Sequence, residues 1–217
     1  GARLLRLNQD YHYRVLQQAW HWTAAGEHRR SLPLPNLRGT LQMRNAAAAL
    51  QVLACLQDSH PVDQQAIRQG LLGVTLPGRF DIHQRRARWI IDVAHNPQAA
   101  EGLAAQLGDC FIKGKTLAVV GVLQDKLQPE LFAALAARVD HWYLLDLGNA
   151  ERGATAQAVL ECAQQGLSAE QITVCGEPNS GFNQVDAEST VDDQVLVFGS
   201  FVTVAAAIRW LREVDER

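Results

Sequence analysis

From Phe80 onward, short apolar runs alternate with longer stretches whose apolar residues recur every three or four positions. No other feature of the chain restricts its fold so strongly. The runs are "FDIHQ" (80–84), "RWIIDV" (88–93), "TLAVVGV" (116–122), "HWYLLD" (141–146), "ITVC" (172–175) and "QVLVFG" (194–199). Helix-period segments lie at 97–107, 128–138, 155–164, 180–188 and 201–213. A strand that is apolar at nearly every position must be covered on both faces. Parallel strands joined through helices achieve this. The first run is joined to the second by only a few residues, so that pair is expected to be antiparallel. The expectation is a Rossmann-like α/β domain over 76–217 with a mostly parallel six-stranded sheet.

The first seventy-five residues follow a different pattern. "RLLRL", "YHYRVL" and "AWHWTA" alternate with period two and read as short strands, with Gly26-Glu27 as a turn signal. "LPLPN" (32–36) makes an extended connection, because proline disfavours helix at the residue before it. Helices are expected over 45–57, opened by Asn45, and over 62–72, with Asp63 as a cap. The Gly and Pro residues of "GVTLPGR" (73–79) mark a boundary. Residues 1–75 thus read as an antiparallel-strand and helix tail of another domain, and the chain as a piece of a longer protein.

Composition narrows the function classes. A net charge of -3 over 217 residues, with a pI near 6.2, offers no electrostatic footprint for nucleic acid or an anionic membrane. No apolar run approaches the roughly 18 residues that span a bilayer. Cys55, Cys110, Cys162 and Cys175 show no CxxC spacing and lie in or beside apolar runs. They read as reduced core residues of a cytoplasmic protein, with no metal site. No GxGxxG follows the first parallel run, which removes the usual mark of a dinucleotide-binding dehydrogenase.

The most informative stretch is "IIDVAHNPQAAEGLAAQL", 90–107. In parallel sheets ligands bind outside the carboxyl ends of the strands, and Asp92 falls at such an end. Asn96 and Pro97 make a good helix start, because Asn accepts a helix N–H and proline has none to satisfy. Asp92 could bond loop N–H groups or accept from a ribose diol. His95 could be a solvated loop residue or a proton-handling group near neutral pH. The pattern leaves both readings open.

Other candidates carry equally plain alternatives. Arg79 is either a solvated turn residue or a planar fork for phosphate oxygens. Asp125 and Lys126 follow a strand end, where a surface ion pair would account for them as well. Arg152 could hold a carboxylate bidentately. Ser200 sits where a helix cap is also needed.

Taken in order, "LPLPN", "RNAAAAL", "LPGRF", "DVAHNPQAA", "GVLQDK", "RGAT" and "VLVFGSF" resemble the folylpolyglutamate synthase/dihydrofolate synthase family, the folate branch of the Mur ligase superfamily. Each motif is weak alone. "LPGRF" and "DVAHNP", with Arg79 and Asp92 thirteen positions apart and "RGAT" beyond, are specific together. The resemblance covers essentially the whole chain. It implies an ATP-dependent ligase that adds L-glutamate to dihydropteroate and folates through an acyl phosphate, monomeric as a full-length protein. Residues 1–75 would be the tail of the central ATPase domain and 76–217 the C-terminal domain.

By that resemblance Asn45, Arg79 and Asp92 contact ATP, and His95 lies at the reaction centre. Asn96, Asp125, Lys126, Arg152 and Ser200 would shape the pocket for the amino acid. No GxxxxGK[ST] occurs here, so the phosphate loop and the ligands for Mg²⁺ are expected outside this chain, and the chain alone is expected to be inactive. A non-catalytic nucleotide-binding module, or a Mur-type ligase with another acceptor, remain as alternatives. Two departures from the family stand out: Leu127 follows "QDK" where an acidic residue is frequent, and Val202 replaces the His of "GSFHTV".

Overall fold

A computed structural model describes residues 3–37 and 39–216. The chain divides into two compact units, Gly1–Leu76 and Pro77–Arg217.

In the first unit β1 (Tyr11–Val15), β2 (Ala19–Ala24) and β3 (Glu27–Pro33) form an antiparallel meander, followed by α1 (Thr40–Leu56) and α2 (Gln64–Gly73). Trp20 and Trp22, two positions apart, point to the same face of β2 and are fully buried with Leu32, Ala47, Leu50 and Ile67. Both indole N–H groups are satisfied: Trp20 Nε1 donates to the Pro33 carbonyl at 2.8 Å and Trp22 Nε1 to that of Ala47 at 3.1 Å. Asp63 caps α2 as expected, accepting from Ala66 N at 2.7 Å.

Four expectations for this unit are corrected. "RLLRL" forms no strand; only Leu7 joins an isolated bridge, to Tyr11, and the third strand lies after the Gly26 turn instead. That strand runs on through Leu32 and Pro33, which were read as connection. Helix α1 starts at Thr40, so Asn45 lies within it rather than opening it, and its amide donates to Gln42 Oε1 at 3.1 Å. Ala-rich sequence propagates helix in both directions, so a cap-type residue inside it does not stop it. Cys55 is exposed on α1, unlike the core residue expected.

The second unit holds a six-stranded sheet in the order β4-β5-β9-β6-β7-β8: β4 (Asp81–Gln84), β5 (Arg88–Ile91), β6 (Thr116–Val120), β7 (His141–Leu144), β8 (Ile172–Val174) and β9 (Gln194–Phe198). β4 pairs antiparallel with β5; every other pairing is parallel. The helices are α3 (Pro97–Gly108), α4 (Pro129–Ala133), α5 (Ala156–Ala163), α6 (Pro178–Glu188) and α7 (Phe201–Asp215). Crossovers between parallel strands are right-handed, so the direction of each step across the sheet sets the face its helix covers. β5→β6→β7→β8 all step one way, and α3, α4 and α5 share one core. β8→β9 steps back, and α6 lies on the other face with α7.

Alternation along each strand feeds both layers. Ile90, Ala118, Val120, Trp142, Leu144, Leu196 and Phe198 face α3–α5, whereas Trp89, Ile91, Val119, Tyr143, Leu145 and Val197 face α6–α7. This double cover is why the runs read as continuously apolar.

β5 to β9 end one or two residues earlier than expected, β4 ends at Gln84 as expected, and α6 begins at Pro178, close to the expected start near 180. Helix 128–138 shortens to Pro129–Ala133, because beyond it hydrogen bonds close to the third residue back, as in Leu135 N to Phe132 O. Leu135 stays buried in that tighter winding, and Val139 just beyond it is buried as well. Cys162 and Cys175 are buried as expected, and burial pushes the Cys175 thiol up to about 11. No helix among the described residues is long and apolar enough to cross a membrane.

Phe198 on central β9 is fully buried with its ring 6.2 Å from that of Trp142. Phe198→Ala should destabilise the second unit by about 3–5 kcal/mol. Urea unfolding followed by tryptophan fluorescence checks this, and an unmoved midpoint would refute the packing described.

Candidate functional site

Parallel strands present all their carboxyl ends on one edge. The loops after β5 (92–96), β6 (121–128), β7 (145–155) and β9 (199–200) therefore emerge together. Nearly every residue singled out in the second unit lies on this edge; Arg79 reaches it through the segment preceding β4.

Asp92 follows β5 and is only 9% exposed. Its Oδ2 accepts from Phe80 N at 2.9 Å and its Oδ1 from Ala94 N at 2.8 Å. Burial pushes its carboxyl up, and these two N–H groups and nearby Arg79 pull it back in part. The Asp thus holds a sharp turn. Gly78 has φ 74° and Phe80 φ 52°, both left-handed. A Cβ on Gly78 would come within 2.6 Å of Val204 Cγ1 and 3.0 Å of Val93 Cγ1, so glycine alone fits. Val93 N also donates to the Gly78 carbonyl at 2.8 Å. Arg79, between these anchored residues, is half-buried, and its side chain makes no hydrogen bond or ion pair with the described residues.

His95 Nδ1 lies 2.8 Å from the Val93 carbonyl oxygen. A carbonyl only accepts, so Nδ1 carries the proton and a neutral ring keeps its lone pair on Nε2. The ring tilts against that of Phe201, centroids 6.1 Å apart. Asn96 caps α3 as its sequence suggests, accepting from Ala99 N at 2.9 Å.

Asp125 and Lys126 form a short 3₁₀ turn after β6. Asp125 Oδ1 accepts from Arg152 Nη2 at 2.6 Å, and Oδ2 lies 3.6 Å from Lys126 Nζ. The Arg152 hydrogen bond holds the Asp125 carboxyl below its usual range. The backbones of these loops are tied too, Gln124 N donating to the Arg152 carbonyl at 2.9 Å. Arg152 itself sits at φ 62°. A Cβ on neighbouring Gly153 would fall 1.8 Å from the Leu147 carbonyl oxygen, which explains the glycine of "RGAT". The structure therefore brings Asp125, Lys126 and Arg152 into one exposed cluster. Ser200 is instead 2% exposed, and its Oγ caps α7 by accepting from Thr203 N at 3.1 Å. Asn45 belongs to the first unit, exposed on α1.

Two residues with structural consequences escaped the sequence reading. Asp146 ends β7's run much as Asp92 ends β5's, a signal that was legible. It accepts from Gly148 N at 2.7 Å and Ala156 N at 3.0 Å, shaping the loop that carries Arg152. Thr203 lies inside α7, where nothing in the pattern distinguishes it. Among the described residues no group of three or more His, Cys, Asp or Glu could hold a metal ion.

A doubly covered, mostly parallel sheet, with an imidazole, two guanidinium groups, an ammonium group and several carboxylates on the loops at its carboxyl edge, defines a Rossmann-like α/β domain. Residues 78–201 match the Mur ligase, glutamate ligase domain family, and the chain belongs to that family. It is 37% identical over 205 residues to the dihydrofolate synthase/folylpolyglutamate synthase of Escherichia coli (strain K12), covering 94% of this chain and 46% of that protein. Among solved structures it resembles E. coli FolC in complex with DHPP and ADP (TM-score 0.82, 32% identity, 98% of this chain and 48% of that one). It also resembles a bifunctional folylpolyglutamate synthase/dihydrofolate synthase with Mn, AMPPNP and L-glutamate bound (TM-score 0.84, 36% identity, 98% and 48%). The chain spans about half the length of these relatives.

The Ala156 and Gly148 N–H groups hold the Asp146 carboxyl below its ordinary value. A carboxyl depressed on folding stabilises above its unfolded pKa, about 3.9, and that stabilisation is lost as pH falls through the folded value. Asp146→Asn keeps one acceptor and should cost about 1–2 kcal/mol at neutral pH, with the difference shrinking toward about pH 3. Thermal unfolding across that range checks it; a deficit independent of pH would overturn the assignment.

Proposed function

We propose that this chain is the C-terminal portion of an ATP-dependent ligase that joins L-glutamate to dihydropteroate and folates through an acyl phosphate. The tail of the ATPase domain would occupy 1–75 and the glutamate ligase domain 76–217. The observation that carries the reading is the family match over residues 78–201, with the charged groups of that segment gathered on one sheet edge.

Each residue has a role suited to its chemistry. Arg79 has no hydrogen-bonding or ionic partner among the described residues and is left to meet phosphate oxygens of ATP. Asp92 orients Arg79 through the Phe80 turn and can still accept a ribose hydroxyl on a second lone pair. Asn45 meets the base. Lys126 and Arg152, bridged in this structure by Asp125, offer cations for the carboxylates of L-glutamate. Ser200 and Asn96 hold the helix starts beside them.

The reaction first moves a phosphoryl group from ATP to the acceptor carboxylate. The glutamate nitrogen then forms a bond to that carbon, and the C–O bond to phosphate breaks, leaving an amide. Before it attacks, the ammonium of glutamate must lose a proton. His95 Nε2, with its lone pair directed away from the Val93 carbonyl, is suited to receive it, and Nδ1–H keeps the ring oriented as charge develops. The reaction requires a divalent cation to offset the phosphate charge. By the same resemblance, we place the groups that hold it outside this chain.

In the complete gene product Arg79→Ala should raise the ATP KM about ten- to a hundredfold, corresponding to a lost charge-assisted bond of about 1.5–3 kcal/mol. Arg152→Ala should raise the glutamate KM more than the ATP KM. Steady-state assays with ATP, Mg²⁺, dihydropteroate and glutamate decide this. Glutamate-independent ATP turnover, or product with another amino acid only, would replace this reading with a ligase of different specificity.

A further inference from the structure

Thr203 has no part in the roles above, yet it is fully buried where three carboxyl-end loops meet. Its Oγ1 lies 2.8 Å from the Gly121 carbonyl oxygen and 2.9 Å from Ser200 Oγ, while its N lies 3.1 Å from Ser200 Oγ. The proton directions follow from elementary bookkeeping. A carbonyl oxygen can only accept, and a threonine hydroxyl has one proton. Thr203 Oγ1–H therefore donates to Gly121. Ser200 must then donate its own proton to Thr203 Oγ1, and it accepts from the Thr203 N–H.

The surrounding backbone packs closely on this pair of hydroxyls. A Cβ on Gly121 would lie 2.6 Å from Thr203 Oγ1. Gly199, at φ 110°, could not carry a Cβ either, since it would lie 2.7 Å from the Gly121 carbonyl oxygen. Gly199 N in turn donates to the Ala94 carbonyl at 2.9 Å. Through these contacts the segment after β5, which carries His95, the start of α7 and the turn leading to Asp125 share one knot. The Thr203 hydroxyl is the side-chain tie within it.

We infer that Thr203 is a positioning residue for the glutamate side of the site, locking the loops after β6 and β9 in one register and directing the Ser200 hydroxyl proton inward. The inference rests on the functional reading above for its substrate, though not for its geometry. It has a consequence for recognition: Ser200 has no proton to offer a ligand carboxylate. The carboxylates of the amino acid are then left to groups that only donate, such as Lys126 and Arg152.

Two measurements test it. In the 217-residue chain itself, NMR should find the Ser200 and Thr203 hydroxyl protons exchanging slowly with water, with the Thr203 proton coupled to the Gly121 carbonyl carbon. A Ser200 hydroxyl exchanging at the rate of an exposed serine would overturn the inference, and no variant needs to fold for this result. In the complete gene product, Thr203→Val keeps the shape and removes the hydroxyl. It should raise the glutamate KM about tenfold while the ATP KM stays within about twofold. Thr203→Ser should restore the glutamate KM. An equal rise in both KM values, or no rescue by serine, would reduce Thr203 to a general packing residue and sink the inference. If the unsubstituted protein does not use glutamate, the functional reading fails and takes the substrate half of this inference with it. The hydroxyl directions then stand or fall on the NMR alone.

Discussion

The position of β9 between β5 and β6 governs the rest of the second unit. It is the last strand made, yet it pairs on both sides, with Ile91 opposite Val197 and Val120 opposite Phe198. Entering there requires the chain to step back across the sheet after β8, and a right-handed crossover then forces α6 onto the uncovered face. One strand placement thus completes both cores and brings the loop after β9 between those after β5 and β6. Gly199 and Gly121 are the cost of that crowding, since only a residue without a Cβ fits where these backbones touch.

The edge so formed combines two electrostatic regimes. Asp92 is withdrawn from water, which pushes its carboxyl up, and two backbone N–H groups offset part of that. In that setting a carboxylate organises the turn around it and is expensive to replace. Asp125 and Arg152 remain in solvent, with 44% and 59% of their side chains exposed. An exposed ion pair is screened by solvent and contributes little, so it can be exchanged for a ligand carboxylate at small net cost. The buried Asp92 sets its turn, and the exposed cations are held only by a solvent-accessible carboxylate.

Much of this was readable in the chain. Continuous apolar runs between helix-period segments announced a covered parallel sheet. The short link from 84 to 88 announced an antiparallel first pair, and Asn96-Pro97 announced the start of α3, because capping is a local hydrogen bond between neighbours. The motifs placed the chain in its family before any geometry was known. Local pattern failed where local rules compete. "RLLRL" alternates like a strand but pairs with no neighbour as one, and Asn45 resembles a cap but lies in a helix begun five residues earlier, at Thr40.

Partners far apart in sequence could only be assigned in three dimensions. Asp92 had no legible partner in the sequence; the structure gives each of its oxygens a backbone N–H, of Phe80 and of Ala94. Arg152 is joined to Asp125 across 27 positions, and Thr203 to Gly121 across 82. Secondary structure and caps arise from contacts a few residues apart, so composition and spacing encode them directly. A hydrogen bond between distant loops depends on which strands become neighbours, and only the folded sheet decides that.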